Sequence, residues 1–113
     1  MLLEIRTYRV HPGCMDAFWR GWEDTAKRLA LEFLSPLVGF FAADTGDLNE
    51  VKVIFKFADH AARKSWLELM ESREIWRRQM LTMQELILEQ HTQFFSSPSF
   101  PSLVRLGQGN LYG

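Results

Sequence analysis

Cysteine is almost absent from this chain of 113 residues, which has one, Cys14. A single cysteine cannot form an internal disulfide, so the disulfide framework of small secreted domains is excluded. No apolar run approaches the length that spans a bilayer. Charge at Glu4 and Arg6 interrupts the amino-terminal segment too early for a signal peptide. We therefore expect a cytoplasmic protein without a membrane span.

A surplus of one charge sign is also missing, because 13 basic and 14 acidic residues give a formal net charge of -1. The densest basic stretch, residues 73–78, is interrupted by Glu74, Ile75 and Trp76, which is typical of a solvated helix face. Nucleic-acid binding needs clustered Lys and Arg side chains. The sequence therefore favours no nucleic-acid partner.

Motifs for metals and common cofactors are missing as well. The histidines, His11, His60 and His91, are scattered and have no spacing typical of metal ligands. The glycines of residues 107–109 follow no strand–helix unit, so they do not form a dinucleotide-binding loop. No phosphate-binding loop or nucleophile elbow is present. We expect neither a metal nor a cofactor.

Aromatic residues are plentiful, with nine Phe, four Trp and two Tyr. A domain of this size can bury some of them in one core. The remainder predict a second apolar surface, either inside a cavity or against a partner. The hydrophobic fraction of 47% and the charged fraction of 24% are ordinary for a folded globular domain, so disorder is not expected.

The hydrophobic period changes several times along the chain. Alternation predicts strands at residues 2–10, 50–57 and 85–95, and a short apolar run predicts another at residues 37–43. Spacings of three and four predict a long helix over residues 14–33.

Two further helices follow the third strand. Asp59 is placed to cap a helix that ends near Glu71, and Ser72 to cap a short helix after it. If these two helices are counted as one helical segment, the order is strand, helix, strand, strand, helix, strand. That order is the ferredoxin-like arrangement. It predicts an α+β domain with a four-stranded antiparallel sheet and all helices on one face.

The other face of that sheet is expected to be apolar. We assign Tyr8, Ile54, Val38 and Phe40 to it. Such a face is not left in water comfortably, and a second copy of the sheet, related by a two-fold axis, would cover it. The sequence therefore predicts a homodimer.

Several segments have a recognisable order and spacing. They are LEIRTY at residues 3–8, PG at 12–13, LVGFF at 37–41, GDLNEV at 46–51, Arg63, Trp76 and PSF at 98–100. Together they resemble the NIPSNAP family, and the match runs from residue 2 to about residue 103. We assign one NIPSNAP-like domain to residues 1–103 and a carboxy-terminal tail to residues 104–113.

This resemblance implies a dimeric α/β barrel, in which two ferredoxin-like domains pack their sheets face to face. Family members are mostly of unassigned activity, and animal relatives are mitochondrial proteins linked to trafficking and organelle quality control. Other families with this barrel are small cofactor-independent monooxygenases and haem-handling enzymes. The family commonly has Trp where this chain has Phe55, so a pocket lined by this residue would be less polar.

Glu4, Arg6 and Tyr8 share one face of the first strand. On a face that meets a partner, a charged pair beside a phenol would be partly desolvated. These groups would then bind polar groups of a ligand, or form an ion pair that sets the register of the dimer. The sequence leaves both interpretations open.

Five aromatic residues have the spacing to line a pocket between helices and sheet, or to form plain core: Trp19, Trp22, Phe55, Trp66 and Trp76. Among the histidines, His91 has Glu89 on its face and is the one placed to act as a general base or ligand. The candidate ligand-binding residues are therefore Arg6, Tyr8, Trp22, Phe55, Trp76 and His91. No catalytic residue is assigned.

The leading hypothesis is a NIPSNAP-like dimeric barrel of unassigned activity that binds a small, partly apolar ligand. One alternative is a cofactor-independent monooxygenase-like enzyme for a small aromatic substrate, with Tyr8, Arg6 or His91 handling protons. Another is a protein-interaction module. A cavity inside the domain would favour the first two, and a filled core with an exposed aromatic groove would favour the third.

Overall fold

The computed structural model describes residues 1–103; the predicted tail, residues 104–113, lies outside them. Its elements are β1 (Leu2–Val10), α1 (Met15–Arg28), a 3-10 helix (Leu31–Leu34), β2 (Leu37–Ala42), β3 (Glu50–Phe57), α2 (His60–Glu71), α3 (Glu74–Gln84) and β4 (Ile87–Ser96). No helix in this part of the chain is long and apolar enough to cross a membrane.

The four strands form one antiparallel sheet in the order β2-β3-β1-β4. β1 is central and pairs with β3 on one side and β4 on the other, so that Tyr8 lies opposite both Val51 and Gln90. β4 lies at an edge, and its residues are exposed after the half-buried Ile87. This arrangement confirms the predicted ferredoxin-like α+β fold.

The helices cover the face of the sheet that carries Glu4 and Tyr8. Tyr8 is 5% exposed and contacts Phe18 of α1, and Phe40 packs on Trp22 of the same helix. The assignment of Tyr8 and Phe40 to the uncovered face is therefore wrong. Alternation divides a strand into two sets of residues but does not say which set the helices cover.

The opposite face of the sheet has no helix packed on it in residues 1–103. Ile54 lies there opposite Ile5 of β1, as predicted, while Val53 and Phe55 on either side of it are fully buried under the helices. Val38, also predicted there, is exposed near an irregularity in the pairing of β2 with β3.

Differences from the predicted element boundaries include those at the end of α1, the start of α3 and the start of β4. α1 ends at Arg28 because Leu29 is extended, with φ -89° and ψ 146°, and the 3-10 helix after it continues the helical spacing to residue 34. Ser72 does not cap α3, whose N-cap is Arg73; its hydroxyl donates instead to the Leu69 carbonyl at the end of α2. β4 begins at residue 87, two residues later than predicted.

One predicted cap is present and connects the sheet to the helices. The Asp59 carboxylate accepts the Ala62 backbone N–H at 2.8 Å, which satisfies one unpaired donor of the first turn of α2. Asp59 follows β3 almost directly, so the cap sets where α2 starts relative to the sheet.

The core is an aromatic network between the sheet and the helices. Phe55 and Trp76 are 0% and 1% exposed. Trp66 joins them, with ring centroids 5.0 Å from Phe55 and 5.7 Å from Trp76. Its indole N–H donates to the Phe33 carbonyl at 2.7 Å, which ties the 3-10 helix to α2. Most of the five aromatic residues that the sequence singled out therefore belong to the core. Plain core was one of the two interpretations of their spacing.

Candidate functional site

A cavity of about 280 Å³ lies between the sheet and the helices. Its lining residues are Glu4, Arg6 and Tyr8 of β1, Phe18 and Trp22 of α1, Arg63, Leu67 and Glu71 of α2, Trp76, Met80, Met83 and Gln84 of α3, and Ile87, Gln90 and Thr92 of the β4 segment. Glu71 and Gln84 are exposed and mark its solvent side. The cavity thus has polar groups on the sheet and mostly apolar groups on the helices.

A buried carboxylate holds two arginines at the sheet side of this cavity. Glu4 is 1% exposed, and it accepts from Arg6 Nε at 2.9 Å and from Arg63 Nε and Nη2 at 2.9 and 3.2 Å. Each guanidinium also lies over an aromatic ring: Arg6 is 4.7 Å from the centroid of Phe55, and Arg63 is 4.8 Å from that of Phe94. These contacts limit the positions available to both cations.

Local structure explains how these residues meet. Alternation along β1 places Glu4 and Arg6 on the same face, under the helices. Arg63 lies in the first turn of α2, and its backbone N–H bonds to the carbonyl of the N-cap residue Asp59. The cap at Asp59 therefore orients the helix that delivers the second arginine.

The ionisation of Glu4 follows from these contacts. Burial on its own raises the pKa of the Glu4 carboxyl, but the hydrogen bonds from Arg63 and the charge of Arg6 outweigh it. The net result is a pKa below its ordinary value, so Glu4 is an anion at neutral pH. The triad of Glu4, Arg6 and Arg63 is consequently an ionised network with two cations and one anion.

Tyr8 adds a neutral phenol beside the triad. Burial raises the pKa of its hydroxyl, and the charge and hydrogen bond of Arg6 oppose that increase without cancelling it. The phenol therefore keeps its proton at neutral pH. A protonated phenol can donate one hydrogen bond to another group.

Trp22 presents an unusual donor. The residue is 4% exposed and packs against Phe40 and Trp76, at ring centroid distances of 5.0 and 5.9 Å. Its indole Nε1–H is buried and has no hydrogen-bond acceptor among residues 1–103. A buried donor without an acceptor costs about 1–3 kcal/mol, so such groups are rare and call for an explanation.

Four of the six residues that the sequence singled out line this one cavity: Arg6, Tyr8, Trp22 and Trp76. Phe55 lies beneath Arg6, in contact with the guanidinium. His91 is separate from the others, because it pairs with Thr7 across the sheet and lines a groove on the uncovered face. Ligand binding by any of the six stays a prediction.

Sequence reasoning missed the second partner of Glu4. Arg63 is 59 residues away in the chain, and no local pattern connects it to β1. The available signal was the presence of an acid in the central strand, which needs a cation when buried. It also missed Gln90 and Thr92, the neighbours of His91 that do point into the cavity.

The groove on the uncovered face has a volume of about 420 Å³ and a mixed character. Lys52 Nζ donates to Thr7 Oγ1 at 2.8 Å, and Arg9 pairs with Asp47 and Glu89 at 3.0 and 3.5 Å. Residues 1–103 contain no group of three or more His, Cys, Asp or Glu side chains that could hold a metal ion.

Comparison with known proteins gives one family. The NIPSNAP family model matches residues 3–101, while a search of curated proteins found no match. A NIPSNAP family protein of unknown function from Agrobacterium tumefaciens is 26% identical, with a TM-score of 0.76 and coverage of 91% of this chain and 93% of that one.

Two further solved structures are similar. An uncharacterised NIPSNAP domain protein from Burkholderia xenovorans is 24% identical, with a TM-score of 0.74 over 88% of this chain and 97% of that one. An antibiotic biosynthesis monooxygenase is 13% identical, with a TM-score of 0.64 over 87% and 99% of the two chains. At these identities, the likeness shows a shared fold alone.

Proposed function

The chain belongs to the NIPSNAP family, and we propose that it binds a small, partly apolar molecule in the cavity between its sheet and its helices. The observation that carries this proposal is the contrast between the two sides of the cavity. Charged and phenolic groups are held in place on the sheet, and the rings and thioethers of α1 and α3 face them. Small-molecule sites commonly combine an apolar wall with a few oriented polar groups.

The size of the cavity supports a small ligand. Its volume of about 280 Å³ is just below the range of about 300–1,000 Å³ for ligand pockets. A one- or two-ring molecule fits that scale better than a peptide or a large cofactor. An exposed aromatic groove would favour a protein-interaction module. In residues 1–103, the helix side of the sheet has this cavity instead of such a groove.

The test is native mass spectrometry of freshly purified protein, followed by calorimetric titration with a panel of one- and two-ring aromatic molecules. We expect a retained or added ligand, and we expect Arg6→Met to weaken its binding. His91→Ala is the matched control, because His91 lies on the opposite face of the sheet and should leave binding unchanged. Failure of every panel member to bind would refute the proposal.

We also propose that the uncovered face of the sheet forms a homodimer. Apolar side chains on this face include Ile5, Ile54 and Phe95, the last 45% exposed. Arg9 and Glu89 supply charges of both signs, which suits a two-fold axis that places a surface against its own copy. A stable interface of this kind should bury more than about 1,500 Å² in total. Sedimentation as a monomer at micromolar concentration would refute it.

Cofactor-independent oxygenation of a small aromatic substrate is the second candidate. It draws on the fold shared with an antibiotic biosynthesis monooxygenase and on the protonated Tyr8 at the cavity. His91 has no part in such a reaction, since it lies on the other side of the sheet. Oxygen uptake that depends on both the protein and a dihydroxyaromatic substrate would support this activity, and uptake unaffected by Tyr8→Phe would exclude the proposed role of Tyr8.

A cytoplasmic location stays a prediction of the sequence.

A further inference from the structure

The two arginines at the polar side of the cavity have more N–H donors than Glu4 can accept from. Each guanidinium has five N–H groups, whereas a carboxylate has about four acceptor positions. Glu4 already accepts three hydrogen bonds, one from Arg6 and two from Arg63. One carboxylate between two arginines therefore has little remaining capacity for either of them.

Charge at this side of the cavity is unbalanced in the same direction. Arg6 and Arg63 carry two positive charges against the single negative charge of Glu4. The other acid that lines the cavity is Glu71, which is exposed and lies two turns of α2 beyond Arg63. An anion that entered the cavity would meet the net positive charge of the triad beside the buried Glu4.

Trp22 contributes to the apolar wall of the same cavity. Its Nε1–H has no acceptor among residues 1–103, but the nitrogen is buried beyond the reach of a water-sized group. A molecule in the cavity would therefore meet the indole ring and not the N–H.

We propose that the cavity selects a flat aromatic acid, whose carboxylate binds at Arg6 and Arg63 and whose rings contact the apolar wall. This inference rests on the proposed ligand-binding function and names the class of ligand. The protonated phenol of Tyr8 is a further donor beside the carboxylate. Met80 and Met83 of α3 supply a polarisable wall for the ring system.

The experiment compares three probes of one ring size by calorimetry at neutral pH: 2-naphthoate, 2-naphthamide and 2-naphthol. We expect 2-naphthoate to bind at least about tenfold more tightly than 2-naphthamide, because a charge-assisted pair with arginine is stronger than a neutral hydrogen bond.

Two variants assign the preference to residues. Arg63→Met should reduce the preference for acid over amide, with thermal unfolding used to confirm that the variant folds. Trp22→Phe is the control, because it keeps an aromatic ring in the wall of the cavity and should leave that preference unchanged.

The outcomes separate this inference from the function on which it rests. Binding of the amide or the naphthol as tightly as the acid would overturn the inference and leave small-molecule binding intact. Absence of binding by all three probes and by the wider aromatic panel would overturn both. The wild-type comparison of acid with amide needs no variant at all.

Discussion

Replacement of Glu4 by Gln is the perturbation that most directly tests the buried ion network. The carboxylate accepts from Arg6 and from Arg63 on both of its oxygens. The amide of Gln keeps one acceptor oxygen, and its NH₂ group would point a donor at a guanidinium. Two cations would then remain without an anion, one of them 11% exposed and the other 26% exposed in their side chains.

The magnitude follows from the cost of leaving buried charge unpaired. Breaking a buried ion pair by removing one partner costs about 3–5 kcal/mol. The partial exposure of Arg63 lets it rotate towards water, so we expect Glu4→Gln to lower the free energy of unfolding by about 3 kcal/mol at neutral pH. Glu89→Gln is the control: its ion pair with Arg9 is exposed, and its loss should cost under about 1 kcal/mol.

The pH dependence has a definite sign. Because the pKa of Glu4 in the folded protein lies below its ordinary value of 4.5, its contribution to stability is fully present above about pH 4.5 and is lost as the pH falls through the folded-state pKa. The difference between wild type and Glu4→Gln should therefore shrink below pH 4.5, where a protonated Glu4 resembles the amide.

Urea denaturation from pH 7 to pH 3 measures this difference directly, provided that both proteins unfold in one transition. Taking the difference cancels the contributions of the other carboxyl groups, which are common to both proteins. A loss smaller than about 1 kcal/mol, or a difference that stays constant across the range, would show that the two arginines are satisfied by other groups.

Three further changes test the core, the dimer and the helix cap. Phe55→Ala should lower the free energy of unfolding by about 3–5 kcal/mol, since the ring is fully buried against Trp66; a loss under about 1 kcal/mol in denaturation would show that the ring lines open space. Ile54→Lys should convert a sedimenting dimer to a monomer without unfolding it, and an unchanged sedimentation coefficient would move the interface elsewhere. Asp59→Ala should cost about 1 kcal/mol through loss of the bond to the Ala62 N–H, and Asp59→Asn should retain most of that stability.

Patterning predicted the strands and their shared faces because a pleated strand has a strict period of two. Glu4, Arg6 and Tyr8 do share a face, and Ile54 does lie on the other. Which face the helices cover was predicted wrongly for Tyr8, since both faces of β1 mix apolar with polar side chains. That choice depends on the handedness of the connections and on α1, which brings Phe18 onto Tyr8.

The end of α1 shows a second limit of periodicity. The apolar spacing runs on to residue 33 because a 3-10 helix follows the α-helix, and a repeat of three preserves much of the pattern across the break at Leu29. Ser72 shows a third limit, because a hydroxyl can bond to the carbonyls behind it as readily as to the N–H groups ahead.

The polar side of the cavity could be predicted only in part, and the reason is physical. Arg6 in the middle of the central strand implied that some anion must meet it, and the sequence supplied Glu4 two residues away. The same logic then applies to Glu4, which needs more than one cation to stay ionised when it is buried, yet its second partner comes from a helix 59 residues further on. The pairing of Glu4 with both arginines therefore explains a structural role for Arg6. It uses only part of the N–H donors of Arg6. A ligand carboxylate would use the donors that remain, which is why the comparison of acid with amide probes is the decisive measurement.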